Sequence, residues 1–301
     1  MTNETNLSEL VFPGLKVIWG LSYPQYKPEW SQAFPTKPTS QQYEKTLGMA
    51  GFGLPPVKPE GTGVAYDDPY QGPTHNLYQV VRALGFIVTK EMYTDDLYGK
   101  INALPTALKY SMIQGKEWDH WNIFNNAFTS GLGADSTYLC SASHTYTPAG
   151  TWSNMPSIAC DLSLTALEQA VIDIGNFLDP RGVLKMNLRP MKLIVSTSDD
   201  WTARQLLGSE KDPETPASNA INPARGMFPQ GHMVGHFLTD PDAWFILTDC
   251  QNGLVSYAHS KWGLQFTKDN DFGSDNALQK ATDRYKAGWD DPRAIYGSAG
   301  G

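Results

Sequence analysis

The sequence predicts an α+β protein with an extended first third and a mixed helical and β remainder. Three observations carry this. Of 21 prolines, 10 fall in the first 75 residues, which excludes long helices there. A helical period runs through Leu104–Phe128. From residue 162 onward, amphipathic helices and short apolar strands follow one another.

The proline-rich first 75 residues also carry ten aromatics, among them Phe12, Trp19, Trp30, Phe34, Phe52 and Tyr66. A solvated linker would be poor in such rings. Either this stretch drapes over its own core or it packs on other subunits. Residues 77–93, LYQVVRALGFIVTKEMY, are β-rich and read as the returning limb of an extended hairpin whose outgoing limb lies near 40–54. The segment between, rich in Gly and Pro, reads as its tip.

In the long helix, Pro105 sits at the start, and 25 residues would span about 37 Å. At 100° per residue, Tyr110, Ile113, Trp121, Phe124 and Phe128 share one stripe, and Leu104, Leu108 and Met112 a second. Lys109, Lys116 and His120 occupy the remaining face, and SGLG at 130–133 stops the helix. Residues 162–179 predict an amphipathic helix capped by Ser163. MKLIVSTS, 191–198, predicts a buried strand, and DDWTARQLL after it a helix with acids in its first turn. Residues 210–231 read as loop, and Asn252-Gly253 as the turn of a β-hairpin. A polar segment from Phe266 closes the chain.

The 301 residues carry 41% hydrophobic and 18% charged residues, which excludes wholesale disorder. No run approaches the roughly 18 apolar residues of a membrane span, so no membrane role is expected. The opening MTNETNLSEL has no signal-peptide pattern. A formal charge of −8 disfavours a dedicated nucleic-acid binder. Three cysteines suggest a reducing compartment and no disulfide framework.

Phosphate-loop, nucleophile-elbow, zinc-helix and EF-hand motifs are absent. Two constellations merit weighing as chemistry. His232 and His236, with Asp240 nearby, have the four-residue spacing of a helical zinc pair, but Gly231 and Gly235 favour a turn plus strand. Cys140 and His144 have the residue types of a thiolate–imidazole nucleophile, but no third group marks itself, and a buried cysteine commonly acts as a small hydrophobe. The pairs Asp199-Asp200, Asp240-Asp242 and Asp290-Asp291 sit at turn or helix-start signals, where capping explains them. No catalytic, cofactor-binding or metal-ligating residue is therefore assigned.

The order of elements then becomes informative. WNIFNNAFTSG (121–131), LCSASHTY (139–146), LIVST (193–197), FLTDPDAWFILTD (237–249) and DRYKAGWDDPRAIYGSAG (283–300) together resemble the major capsid proteins of tailed bacteriophages, with the Mu-like major head subunit as nearest look-alike. Residues 1–103 are similar in layout more than in sequence. The resemblance implies a Hong Kong 97-like capsid fold: an N-terminal arm at 1–39, an extended loop at 40–93, a peripheral domain at 95–134 and 261–301 with a long spine helix, and an α/β axial domain at 135–260. It implies a structural, non-enzymatic virion protein that assembles in the bacterial host cytoplasm. Pentamers and hexamers would form an icosahedral shell around double-stranded DNA, without sequence-specific contacts. Portal, separate scaffolding and decoration proteins are the further partners implied. Lys45, Lys58 and Lys90 lie in or beside the loop but match no cross-linking motif, so no isopeptide chemistry is expected. The rival expectation is an intracellular metal-dependent or thiol hydrolase using His232/His236 or Cys140/His144; a tail or accessory virion protein is a third.

Overall fold

The computed structural model describes residues 28–95, 101–211 and 221–301. Phe12, Trp19 and most of the expected arm lie outside them. The spine is helix α2, Leu104–Asn125, with Pro105 in its first turn and Asn126 as its C-cap. It has 22 residues and a length of about 33 Å. A short helix α1, Lys90–Thr94, precedes it, capped by Thr89.

Against α2 lies the main sheet. Its central strand is β12, Ala277–Trp289. One edge of β12 is shared by β10 (Leu254–His259) and β11 (Gln265–Asn270), and the other is taken by β4 (Val80–Val88), all antiparallel. Strand β1, Thr36–Thr39, adds in parallel to β10. Two expectations are corrected here. The stretch from Val80 pairs with β12 and is not a hairpin limb; the limb returning to β2 (Tyr43–Ala50) is β3, Tyr70–Tyr78, part of which reads in sequence as tip. The closing segment read as polar supplies the longest strand of the protein. In β12, Ala281, Asp283, Tyr285, Ala287 and Trp289 alternate inward, but the charge at Asp283 breaks the apolar pattern. That charge is answered by Lys116 of α2 at 3.2 Å.

A second sheet has the order β13-β9-β7-β8, where β7 is Pro190–Val195, β8 His232–Val234, β9 Trp244–Thr248 and β13 Ile295–Ser298. Both its faces are covered. Ile194, Phe245 and Ile295 face the core that holds Trp121 and Phe124 of α2. Their strand neighbours Leu193, Val195, Trp244, Ile246 and Tyr296 face a second core under helices α3 (Leu164–Gly175) and α4 (Asp200–Gly208). Burial on alternate sides explains why these strands read as continuous apolar runs. Ser163 caps α3 as expected, accepting from the Ala166 N–H. The small pair β5 (His144–Thr145) and β6 (Thr151–Trp152) lies between α2 and α3 in the chain.

The turn at Asn252-Gly253 does not close a hairpin. Strand β9 belongs to the second sheet and β10 to the main one, so the turn passes the chain between sheets. A Cβ on Gly253 would come within 2.0 Å of Ala294 Cβ, so close packing, rather than hairpin geometry, demands glycine there.

Candidate assembly surface

Strands β2 and β3 form a two-stranded ribbon separate from both sheets. An isolated ribbon of this kind is marginal in water, because it has no third strand or helix to cover a face. Its register shifts between Leu47 and Met49, where Gly48 faces Gly72; a Cβ on Gly72 would lie 3.0 Å from the Gly48 carbonyl. Beyond the ribbon, residues 51–69 have no strand or helix. Leu47, Met49, Phe52, Leu54, Val57, Val64 and Tyr66 are exposed here, Val57 by 93% and Tyr66 by 97%. Seven large apolar side chains within twenty residues form the kind of surface that marks a docking site rather than scattered exposure.

The ribbon is nevertheless held at defined points. At its root, Leu77 is buried where Gly288 of β12 leaves room for it. Thr46 Oγ1 donates to Asp290 at 2.7 Å, and Glu44 accepts from Thr39. Farther out, Arg181 grips Asp67 in two parallel hydrogen bonds, 2.5 and 2.9 Å, and donates to the Gly51 carbonyl at 3.1 Å. Its guanidinium stands 5.1 Å from the Tyr70 ring centre. The Arg181 hydrogen bond and the Gly53 N–H bring the Asp67 carboxyl down to about 2.

The described residues that precede the ribbon behave differently. Glu117, fully buried on α2, accepts the Glu29 N–H at 2.6 Å, the Trp30 N–H at 3.1 Å and the Trp121 Nε1–H at 3.0 Å. A carboxylate thus satisfies the free N–H groups that open the turn Trp30–Gln32. The Trp30 ring stacks on His120 at 4.2 Å, and Phe34 meets His120 and Phe124 edge-on. His120 falls on the face of α2 outside both apolar stripes, yet it is fully buried. Its Nδ1–H donates to the Lys116 carbonyl at 2.7 Å and its Nε2 accepts from the Ser256 hydroxyl at 2.8 Å. Burial first, then the Lys116 charge, push its pKa down to about 4 against the opposing pull of that carbonyl. Glu117 and His120 are the residues that sequence reasoning missed. The spacing of Glu117 and Trp121, four apart, was the one available sign.

The residues singled out for chemistry are not brought together. His232 Nε2 lies 3.0 Å from Asp200, whereas His236, exposed and beyond β8, pairs with Glu29 at 2.6 Å. Among the described residues, no group of three or more His, Cys, Asp or Glu side chains is placed to hold a metal ion. Cys140 is buried in the α2 core, and burial pushes its thiol well above the usual range. His144 points elsewhere: Nδ1 to Asp135 at 2.6 Å and Nε2 to Asn154 Oδ1 at 3.1 Å. Burial works to raise the Asp135 pKa, but the hydrogen bonds from His144 and Thr137 bring it to about 2. Asn154 Nδ2 donates to the carbonyls of Leu139, Pro292 and Ile295, so this network joins the 135–154 region to the C-terminal strand. It is a structural knot.

No curated protein matches the chain. Solved structures do. The chain of Microbacterium phage Oxtober96 aligns over 98% of this chain and 97% of its own, at 12% identity and a TM-score of 0.54. The capsid of a native GTA particle aligns over 96% and 94%, at 16% identity and a TM-score of 0.61. The capsid of bacteriophage JBD30, decorated with minor capsid protein trimers, covers 79% of this chain with all of its own, at 11% identity and a TM-score of 0.59. These likenesses establish the Hong Kong 97-like fold. Residues 76–298 match the phage capsid protein family, and the chain belongs to that family of structural, non-enzymatic proteins.

Proposed function

We propose that this protein is the major head subunit of a tailed bacteriophage, nearest to the Mu-like type, and that it builds a closed icosahedral shell of pentamers and hexamers around double-stranded DNA. The observation that carries the reading is the uncovered apolar loop of residues 47–66, which a lone chain leaves in water. Many such weak contacts, repeated around a closed shell, add up through multivalency.

In this reading residues 1–39 are the arm and 40–93 the extended loop, whose last strand roots it in the main sheet. Residues 95–134 and 261–301 form the peripheral domain, and 135–260 the axial domain around five-fold and six-fold centres. Assembly takes place in the bacterial host cytoplasm, with a portal, a separate scaffolding protein and decoration proteins as partners; the decorated JBD30 capsid supports the last. The net charge of −8, turned inward, lets DNA be spooled and released without a tight grip. A basic inner lining in an assembled shell would contradict that. Electron microscopy of the full chain expressed alone tests the main reading: closed particles are expected, and rings or tubes would indicate a tail or accessory role. Deleting residues 1–30 is expected to abolish closed shells while leaving a soluble axial core.

A further inference from the structure

The ribbon is attached to its own chain at its root and again at its far end. At the root, Leu77 seats beside Gly288 and Thr46 binds Asp290. The second attachment lies just past the last strand pair, Ala50–Tyr70. There Arg181 ties both limbs together: Gly51 from the outgoing limb, Asp67 and Tyr70 from the returning one. Asp67 also accepts the Gly53 N–H at 2.8 Å, which closes the outer end of the ribbon. Between root and clamp, a cleft of about 260 Å³ separates Leu47, Gly48 and Pro73 of the ribbon from Thr147, Trp152 and Pro292 of the body. The ribbon therefore spans the cleft like a beam held at both ends.

Arg181 is presented from a braced loop. The Asp179 carboxylate accepts the Val183 and Leu184 N–H groups at 2.8 and 2.9 Å, and the Pro180 carbonyl accepts the Thr147 N–H at 2.8 Å. Gly182, at φ +78°, lies so near the Tyr146 ring that a Cβ would come within 2.9 Å of it. From the other side, the Arg293 guanidinium donates to the Leu178 carbonyl at 2.8 Å. Support of this kind holds a side chain in one pose, as a precise contact requires. Without the clamp, the ribbon becomes a lever hinged at its root. Its nine-residue strand β3 reaches about 30 Å, so a swing of about 10° carries the far end about 5 Å. In a symmetric assembly, a change of contact angle decides whether the assembly closes.

We propose that Arg181 is a positioning residue for shell size: it narrows the range of angles at which the apolar loop leaves its own subunit, and so limits the curvature that joined copies adopt. This rests on the shell reading above and deepens it. The test assembles full-length wild type, Arg181→Ala, Asp67→Asn and the double variant, and measures particle diameters by electron microscopy. Lys90→Ala, which removes a separate exposed ion pair with Asp275, is the control for loss of surface charge. Wild type and Lys90→Ala give one narrow diameter class. Each clamp variant widens the spread of diameters roughly twofold or more, and the double variant widens it no further than the larger single effect. Should Arg181→Ala lower the unfolding midpoint, Asp67→Asn decides, because it removes the charge and keeps the side-chain shape. Particles of wild-type spread from either folded clamp variant overturn the inference. So do an equal widening in Lys90→Ala, additive widening in the double variant, or folded clamp variants that form no particles. Wild-type chains that form no particles sink the shell reading itself, whereas uniform particles from every chain sink only the role of Arg181.

Discussion

The anchored turn at residues 28–39 and the ribbon at 43–78 are neighbours in sequence with similar aromatic content, yet they solve burial in opposite ways. Trp30 and Phe34 fold back onto α2, where the buried Glu117 carboxylate accepts the Trp30 N–H and both rings pack against His120. Tyr43, Phe52, Tyr66 and Tyr78 stay in water. Aromatic density alone does not separate a self-covering segment from a partner-seeking one. What separates them is whether the same chain offers hydrogen-bond acceptors for the backbone being buried.

The sharpest break of this comparison is at the shared core. Trp121→Ala removes a fully buried ring that touches Phe124 and holds Glu117, and should cost about 3–5 kcal/mol in denaturant unfolding. Acid is next. His120 takes up its proton near 6.5 when unfolded and near 4 when folded, so the unfolded chain binds more protons between those values. Stability is therefore full above about pH 6.5 and falls as pH drops toward 4, by about 3 kcal/mol. Thermal melts across that range check it, and His120→Gln should flatten the slope. Below pH 3.8 the loss of Asp135 ionisation adds a second decline, which Asp135→Asn removes. Glu117→Gln keeps the shape but weakens three charge-assisted hydrogen bonds; about 2 kcal/mol is expected, with faster amide exchange at Glu29 and Trp30. Smallest in global stability is Arg181→Ala: the unfolding midpoint should not move measurably, while limited proteolysis within residues 51–69 speeds up.

Much of the fold was legible where one period dominates. Helix α3 with its Ser163 cap, the buried strand β7 and the Pro105 start of α2 all appear as read. Errors arose where tertiary partners override local pattern. Asp283 masks the alternation of β12 because its partner Lys116 is 167 positions away. Val80–Val88 looks like a hairpin limb because nothing local says that its partner is β12. The turn at Asn252-Gly253 carries a hairpin signal, but β9 and β10 find better partners in different sheets. The candidate surface was half legible: aromatic and proline crowding flagged the region, but beyond the Glu117–Trp121 spacing the roles of Glu117, His120 and Arg181 depend on contacts that no local pattern encodes.

The central claim is that the ribbon's apolar side chains are buried by sister copies. Sedimentation velocity of the full chain beside the double variant Leu47→Asp/Met49→Asp tests it most directly. The account predicts shell-sized wild-type particles and a variant that sediments as small species while keeping its unfolding midpoint. Wild-type chains that stay single at every concentration, or a variant that builds the same particles, would contradict it.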